Sequence, residues 1–227
     1  MRPLSPLEAR VLGVLVEKQH TVPDTYPLSL NSLTLGCNQK TARLPVIEAS
    51  EAEVMTAIDG LKSLSLVFEG SSSRVTKFEH NMPRVLALPG QSVALLTVLM
   101  LRGPQTSAEL RLNCERLHRF ADISSVEGFL EELAAKSPPK VLKLPRAPGA
   151  REARWAQLLC GEVAVDAVQA VSSSQGTHDV SVVELSAIKS EQTRLAAEVA
   201  ELRALVQRIA RELGMGMEEQ VTKDEHG

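Results

Sequence analysis

Residues 50–79 read SEAEVMTAIDGLKSLSLVFEGSSSRVTKFE. Ser50 followed three residues later by Glu53 is the pattern of a capping box, in which the serine side chain takes a backbone N–H and the glutamate reaches back to another. Val54, Ile58, Leu61 and Leu64 then recur at spacings of three and four, on one face of a helix. Gly70-Ser71-Ser72-Ser73 interrupts the pattern, and Leu66–Glu69 and Val75–Glu79 beside it read as two short strands joined by a polar turn. A helix running into a hairpin is the unit from which the fold is read.

Upstream, Ser5, Pro6 and Glu8 supply a second capping box with proline in the first turn, and Leu7, Val11, Val14 and Leu15 form one apolar stripe ending near Gln19. Tyr26-Pro27-Leu28 is extended, and Ser29 caps a short helix carrying Leu30, Leu33 and Cys37 on one face. Helix, helix, helix, hairpin is the winged-helix order. Downstream the order repeats. Val93, Leu96 and Met100 begin a second copy, Leu110-Arg-Leu-Asn-Cys114 echoes Leu33-Thr-Leu-Gly-Cys37, Ser124–Glu127 echoes the Ser50–Glu53 cap, and Val141 echoes Val67. A second hairpin, Val141–Leu144 and Arg154–Leu158, turns through Pro145–Gly149. The predicted class is mainly α with small β-hairpins (α+β): two tandem winged-helix domains, residues 1–88 and 89–160, with the boundary near Leu86–Gly90.

Residues 161–180 are rich in Ala, Val, Ser and Gly and read as a linker. Beyond it, Leu185, Ile188, Gln192, Leu195, Val199, Leu202, Val206, Ile209 and Leu213 alternate spacings of three and four, the seam of a coiled coil over 181–213. With Leu185 at position a, a parallel pair sets Glu184 against Lys189 and Glu198 against Arg203, whereas an antiparallel pair opposes glutamates, so a parallel homodimer is expected. Residues 214–227 read as an acidic disordered tail.

The 227 residues are 44% apolar with a net charge of −3, enough for buried cores without staples and too acidic for indiscriminate coating of nucleic acid. Charge is uneven: residues 1–88 net 0 (nine basic, nine acidic), 89–160 net +3 (ten, seven) and 161–227 net −6 (six, twelve). Cys37, Cys114 and Cys160 show no zinc spacing and read as reduced cytoplasmic thiols. The N-terminus lacks the pattern of an export signal, and Val85–Leu101 is broken by Pro89, Gly90, Gln91 and Ser92, so no membrane association is expected.

Several stretches together carry a resemblance: Leu4–Leu12, Pro23-Asp-Thr-Tyr-Pro-Leu-Ser-Leu-Asn31, Cys37-Asn-Gln-Lys-Thr41, Leu101-Arg-Gly-Pro-Gln-Thr106 and Leu144-Pro-Arg-Ala-Pro-Gly149. Residues 1–160 resemble the YceH-like bacterial proteins, an uncharacterised family of tandem winged-helix architecture. The resemblance implies the fold and no activity. At Ala42 and Leu44, where that family has an amide and an acid, and at Gln157, where it has a histidine, this sequence departs.

No G-x-G-x-x-G, phosphate loop, H-E-x-x-H or G-x-S-x-G occurs, and His20, His80, His118, His178 and His226 are scattered singly, so neither an enzyme nor a cofactor is expected. Two binding readings stay open. Winged helices often lay the third helix in the major groove, but here Glu51, Glu53 and Asp59 on one third helix, and Glu127, Glu131 and Glu132 on the other, oppose phosphate. The second hairpin points the other way. Lys136, Lys140, Lys143, Arg146, Arg151 and Arg154 stand there against Glu152 alone, so Lys140, Lys143, Arg146, Arg151 and Arg154 are candidate nucleic-acid contacts. Leu142 and Leu144 are expected to face the core, and Trp155 to pack beneath the hairpin rather than stack on a base. The alternative is a protein adaptor, with Tyr26, Asn38, Gln39, Lys40 and Arg43 forming a partner-binding loop, Asn38 also being placed to end its helix in a left-handed conformation.

Overall fold

The structure, a computed structural model, describes residues 1–70, 75–146 and 149–162. These residues form a mixed body of helices and small antiparallel sheets. The first half runs α1 (Pro6–Thr21), a 3-10 turn (Pro23–Thr25), β1 (Leu28–Ser29), α2 (Leu30–Cys37), α3 (Glu51–Ser63), β2 (Val67–Gly70) and β3 (Lys77–His80). After α4 (Met82–Leu86) come α5 (Gly90–Arg102), α6 (Ser107–Asn113), α7 (Ile123–Ala135), β4 (Val141–Lys143) and β5 (Trp155–Gln157).

Both expected capping boxes of the first half are formed. Ser5 N donates to Glu8 Oε2 at 2.7 Å and Ser50 N to Glu53 Oε2 at 2.8 Å, while each serine Oγ accepts from the glutamate N–H. α1 differs from the single stripe in its sequence. Val11, Val14 and Leu15 are buried, but so are Ala9, Leu12 and Val16 on the remaining faces. The cause is packing on several sides at once, against α2 and α3 of its own half and against α5 of the other. Gly13 permits that approach, since a Cβ there would lie 3.0 Å from Leu101 Cδ2. One apolar cluster therefore runs through both halves, and Leu4 N donates to Leu159 O at 2.8 Å across them.

The repeat is visible in the hydrogen bonding. In the first half the sheet order is β1-β3-β2, with Leu28 opposite Phe78. In the second, Gln105 and Trp155 exchange both backbone bonds, at 3.1 and 2.7 Å, an isolated bridge beside the β4-β5 pair. Gln105 and Trp155 each lie 77 positions after Leu28 and Phe78, as do the helix cap Thr106 after Ser29 and buried Cys114 after buried Cys37.

Several local expectations are corrected. α7 starts at Ile123, because Asp122 Oδ1 accepts from Ser125 N at 2.7 Å and its charge suits a helix N-terminus; Glu127, expected in the cap, instead accepts from Ser107 Oγ at 3.2 Å. In the second hairpin Leu144 is buried and Lys143 exposed, as expected, but Leu142 is 40% exposed and Val141 is the buried residue at the start of the strand, so strict alternation does not hold across 141–144. Asn38 ends α2 with φ −88°, not left-handed. α4 and the Thr106–Glu109 box were not anticipated. The turn residues 71–74, Ala147 and Pro148, most of the linker, the seam Leu185–Leu213 and the tail lie outside the described residues.

Candidate functional site

The loop after α2 turns inward. Helix C-termini leave carbonyls without partners, and here two buried arginines supply the donors. Arg43 Nε donates to Gly36 O at 3.2 Å, and Arg10 Nη1 and Nη2 donate to Cys37 O and Pro45 O at 3.0 and 2.6 Å. Arg43 also forks onto Glu17, at 3.1 and 2.6 Å, and reaches Gln39 Oε1 at 2.8 Å. Burial alone would raise the Glu17 pKa, but the hydrogen bonds and charge of Arg43 outweigh it and hold the carboxyl below its ordinary value.

The expected partner loop is therefore corrected. Arg43 has a side-chain exposure of 0%. Asn38 clamps Ala49 through two 2.8 Å bonds, Tyr26 Oη accepts from His80 N at 2.8 Å, and Gln39 is held by Arg43 and Lys18. Only Lys40 of the five is exposed. The departures at Ala42 and Leu44 do not remove the Arg43 cluster, because its partners are Glu17, Gln39 and backbone carbonyls. Burial pushes the Cys37 and Cys114 thiols up to about 12, which keeps them protonated and unreactive.

His80, at the end of β3, has its ring beside Tyr26 and its Nε2 2.7 Å from Gln19 Oε1. Burial, and then the charge of His20, push its pKa down to about 4. The folded value lies below the unfolded 6.5, so protons bind the unfolded chain first. Its contribution is complete above pH 6.5 and falls as pH drops towards 4. Glu8, held low by the Arg2 hydrogen bond, and Glu17 add acid sensitivity only below their ordinary value of 4.5. Lowering pH from 6.5 to about 5 is expected to cost about 2 kcal/mol in urea unfolding, and His80→Gln to flatten that slope.

The second hairpin keeps part of the expected basic surface. Lys143, Arg146 and Arg151 are exposed, and Lys140 is half-buried. Lys143 Nζ sits 5.2 Å from the Trp155 ring centroid. Arg154 is removed from the candidates. Its guanidinium donates to both Glu109 oxygens at 3.0 Å and to Pro104 O at 2.9 Å, tying β5 to the start of α6. Trp155 is 3% exposed and packs in the core, as expected, with no face for a base. On α3, Glu51, Glu53 and Asp59 are exposed, as are Glu127, Glu131 and Glu132 on α7.

One feature escaped the sequence. A cavity of about 240 Å³ lies between the halves, lined by Lys18, Arg43, Arg102 and Arg116 among others. Its residues are far apart in the chain, and their convergence follows only from α1 packing on α5. Among the described residues no cluster of His, Cys, Asp and Glu suits a metal ion, and no helix is long and apolar enough to cross a membrane.

The described residues thus define a protein of mixed helices and small antiparallel sheets, the α+β class. The family model for a protein of unknown function, DUF480, matches residues 4–150, and the chain belongs to that bacterial family. A UPF0502 protein of Burkholderia pseudomallei strain 668 is 68% identical over 217 residues, 95% of this chain and 91% of its own. UPF0502 proteins of Burkholderia ambifaria strain MC40-6 and Burkholderia cenocepacia strain J2315 are 67% and 66% identical over 218 residues, 96% of this chain and 92% of theirs.

Proposed function

We propose that the chain is a non-enzymatic binding protein of tandem winged-helix architecture that contacts the phosphate backbone of nucleic acid through its second hairpin. The observation that carries this reading is the exposure of Lys143, Arg146 and Arg151 on one short hairpin, where none of the three makes an ion pair among the described residues. The helix order and the β1-β3-β2 sheet support the winged-helix assignment. Acidic faces on α3 and α7 argue against major-groove readout, so the contact would be to phosphates, with little sequence preference.

Changing Lys143, Arg146 and Arg151 together to alanine should flatten the slope of log affinity against log salt by roughly 2 to 3 for a short duplex, with the fold intact. An unchanged slope and affinity would remove the hairpin as the contact. A second reading, a protein adaptor, is favoured by Leu35 and Leu112, which stand 77 positions apart at equivalent places in the two halves and are 65% and 70% exposed. Absence of duplex binding at low salt, with capture of a protein partner that Leu35→Ser and Leu112→Ser release, would establish it.

The proposal includes self-association through the heptad seam of 181–213, a parallel pair that would bring two hairpins to one duplex. Light scattering of the full chain should give twice the monomer mass, and a truncation ending at Gly161 should give the monomer. A monomeric full chain at micromolar concentration would exclude it.

A further inference from the structure

We infer that the cavity between the two halves binds a small organic anion through Arg102 and Arg116. Both halves build it: the C-terminal part of α1 and the loop after α2 contribute Lys18 and Thr41, while the ends of α5 and α6 contribute Arg102 and Asn113. Four cations line it, Lys18, Arg43, Arg102 and Arg116, against the single carboxylate Glu17. That carboxylate is already matched, by the Arg43 fork and by Lys18 Nζ at 3.6 Å. The guanidiniums of Arg102, half-buried, and Arg116, exposed, make neither a hydrogen bond nor an ion pair with any described residue.

Two guanidiniums with their donors unspent at one cavity suit an oxyanion, because the planar fork matches carboxylate and phosphate edges with paired bonds. The remaining surface suits an organic body. Val98, Leu101 and Leu117 offer apolar wall, and Asn113 is oriented by donating Nδ2 to Gln105 Oε1 at 2.6 Å, which leaves its carbonyl oxygen to accept from a ligand hydroxyl. At about 240 Å³ the space is below the roughly 300–1,000 Å³ typical of drug-sized ligands and cannot admit a duplex, so the ligand is a compact metabolite with a phosphate or carboxylate head. None of the hairpin cations lines the cavity, and the site is independent of the nucleic-acid reading. Cations near helix C-termini also offset the helix dipole, but that role affects stability and not ligand binding.

Calorimetric titration of the full chain at constant ionic strength tests it, with inorganic pyrophosphate as the phosphate probe and citrate as the carboxylate probe. Saturable one-to-one binding of at least one probe is expected, with Kd between about 10 μM and 1 mM. Arg102→Gln and Arg116→Gln should each weaken it about tenfold or more, since each removes a charge-assisted pair. Thr41→Glu places a carboxylate at an exposed lining position without touching the core, and should weaken binding to a similar degree even if an arginine variant folds poorly. Lys143→Ala should leave the affinity unchanged. A response to pyrophosphate alone assigns a phosphorylated ligand, and one to citrate alone a carboxylate. Failure of both probes to bind at about 10 mM would overturn the inference. So would affinity unchanged in the folded cavity variants, or a loss in Lys143→Ala equal to theirs.

Discussion

Arg43→Ala is expected to lower stability by about 3–5 kcal/mol, as when one partner of a buried ion pair is removed. The substitution leaves Glu17, 17% exposed, with Lys18 at 3.6 Å as its remaining cation, and strips Gly36 O of its side-chain donor. Urea unfolding followed by circular dichroism reads the loss. Arg43→Lys keeps the charge without the fork and should fall between the two. Glu17 titrates below its ordinary value in the folded protein, so the pair contributes fully above pH 4.5 and is lost as pH falls through the lowered folded pKa. The gap between the native protein and Arg43→Ala should therefore narrow in acid. A loss under about 1 kcal/mol would place the pair with ordinary surface bridges.

Trp155→Ala should be similarly damaging, about 3–5 kcal/mol, the usual range for emptying a large aromatic site. Trp155 bridges Gln105 through its backbone, pairs Lys143 across the hairpin and fills the place that Phe78 fills in the first half. Phe78 suggests its own control. Trp155→Phe should cost less than about 1.5 kcal/mol because the repeat already accommodates phenylalanine there. Near-equal losses for the two variants would mean that the site does not depend on filled volume. The alanine variant also removes the ring beneath Lys143, so hairpin contacts should be tested with Lys143, Arg146 and Arg151 rather than with Trp155.

The local signals in the sequence were legible because they are short-range. Ser5 with Glu8 and Ser50 with Glu53 mark helix starts within four residues, and the apolar faces of α2 and α3 follow from spacing alone. The second half was harder. Asp122, Ser124 and Ser125 all offer caps, and the choice of Asp122 depends on its own hydrogen bond, not on the echo of Ser50. The candidate site was less legible still. A run of positive charge does not say which members are spent internally, and Arg154 is held by Glu109, 45 positions earlier. Likewise Arg43 looked available until Glu17 and Gly36 were placed beside it.

The first helices of the two repeats, α1 and α5, pack on each other, with Gly13 against Leu101. In an assembly of separate subunits, that contact would be a subunit interface. Joining the repeats in one chain makes the association unimolecular, so it no longer weakens on dilution. Either repeat produced alone would lose that guarantee. It would expose a helix face that this chain keeps covered at any concentration, and would be expected to pair or precipitate.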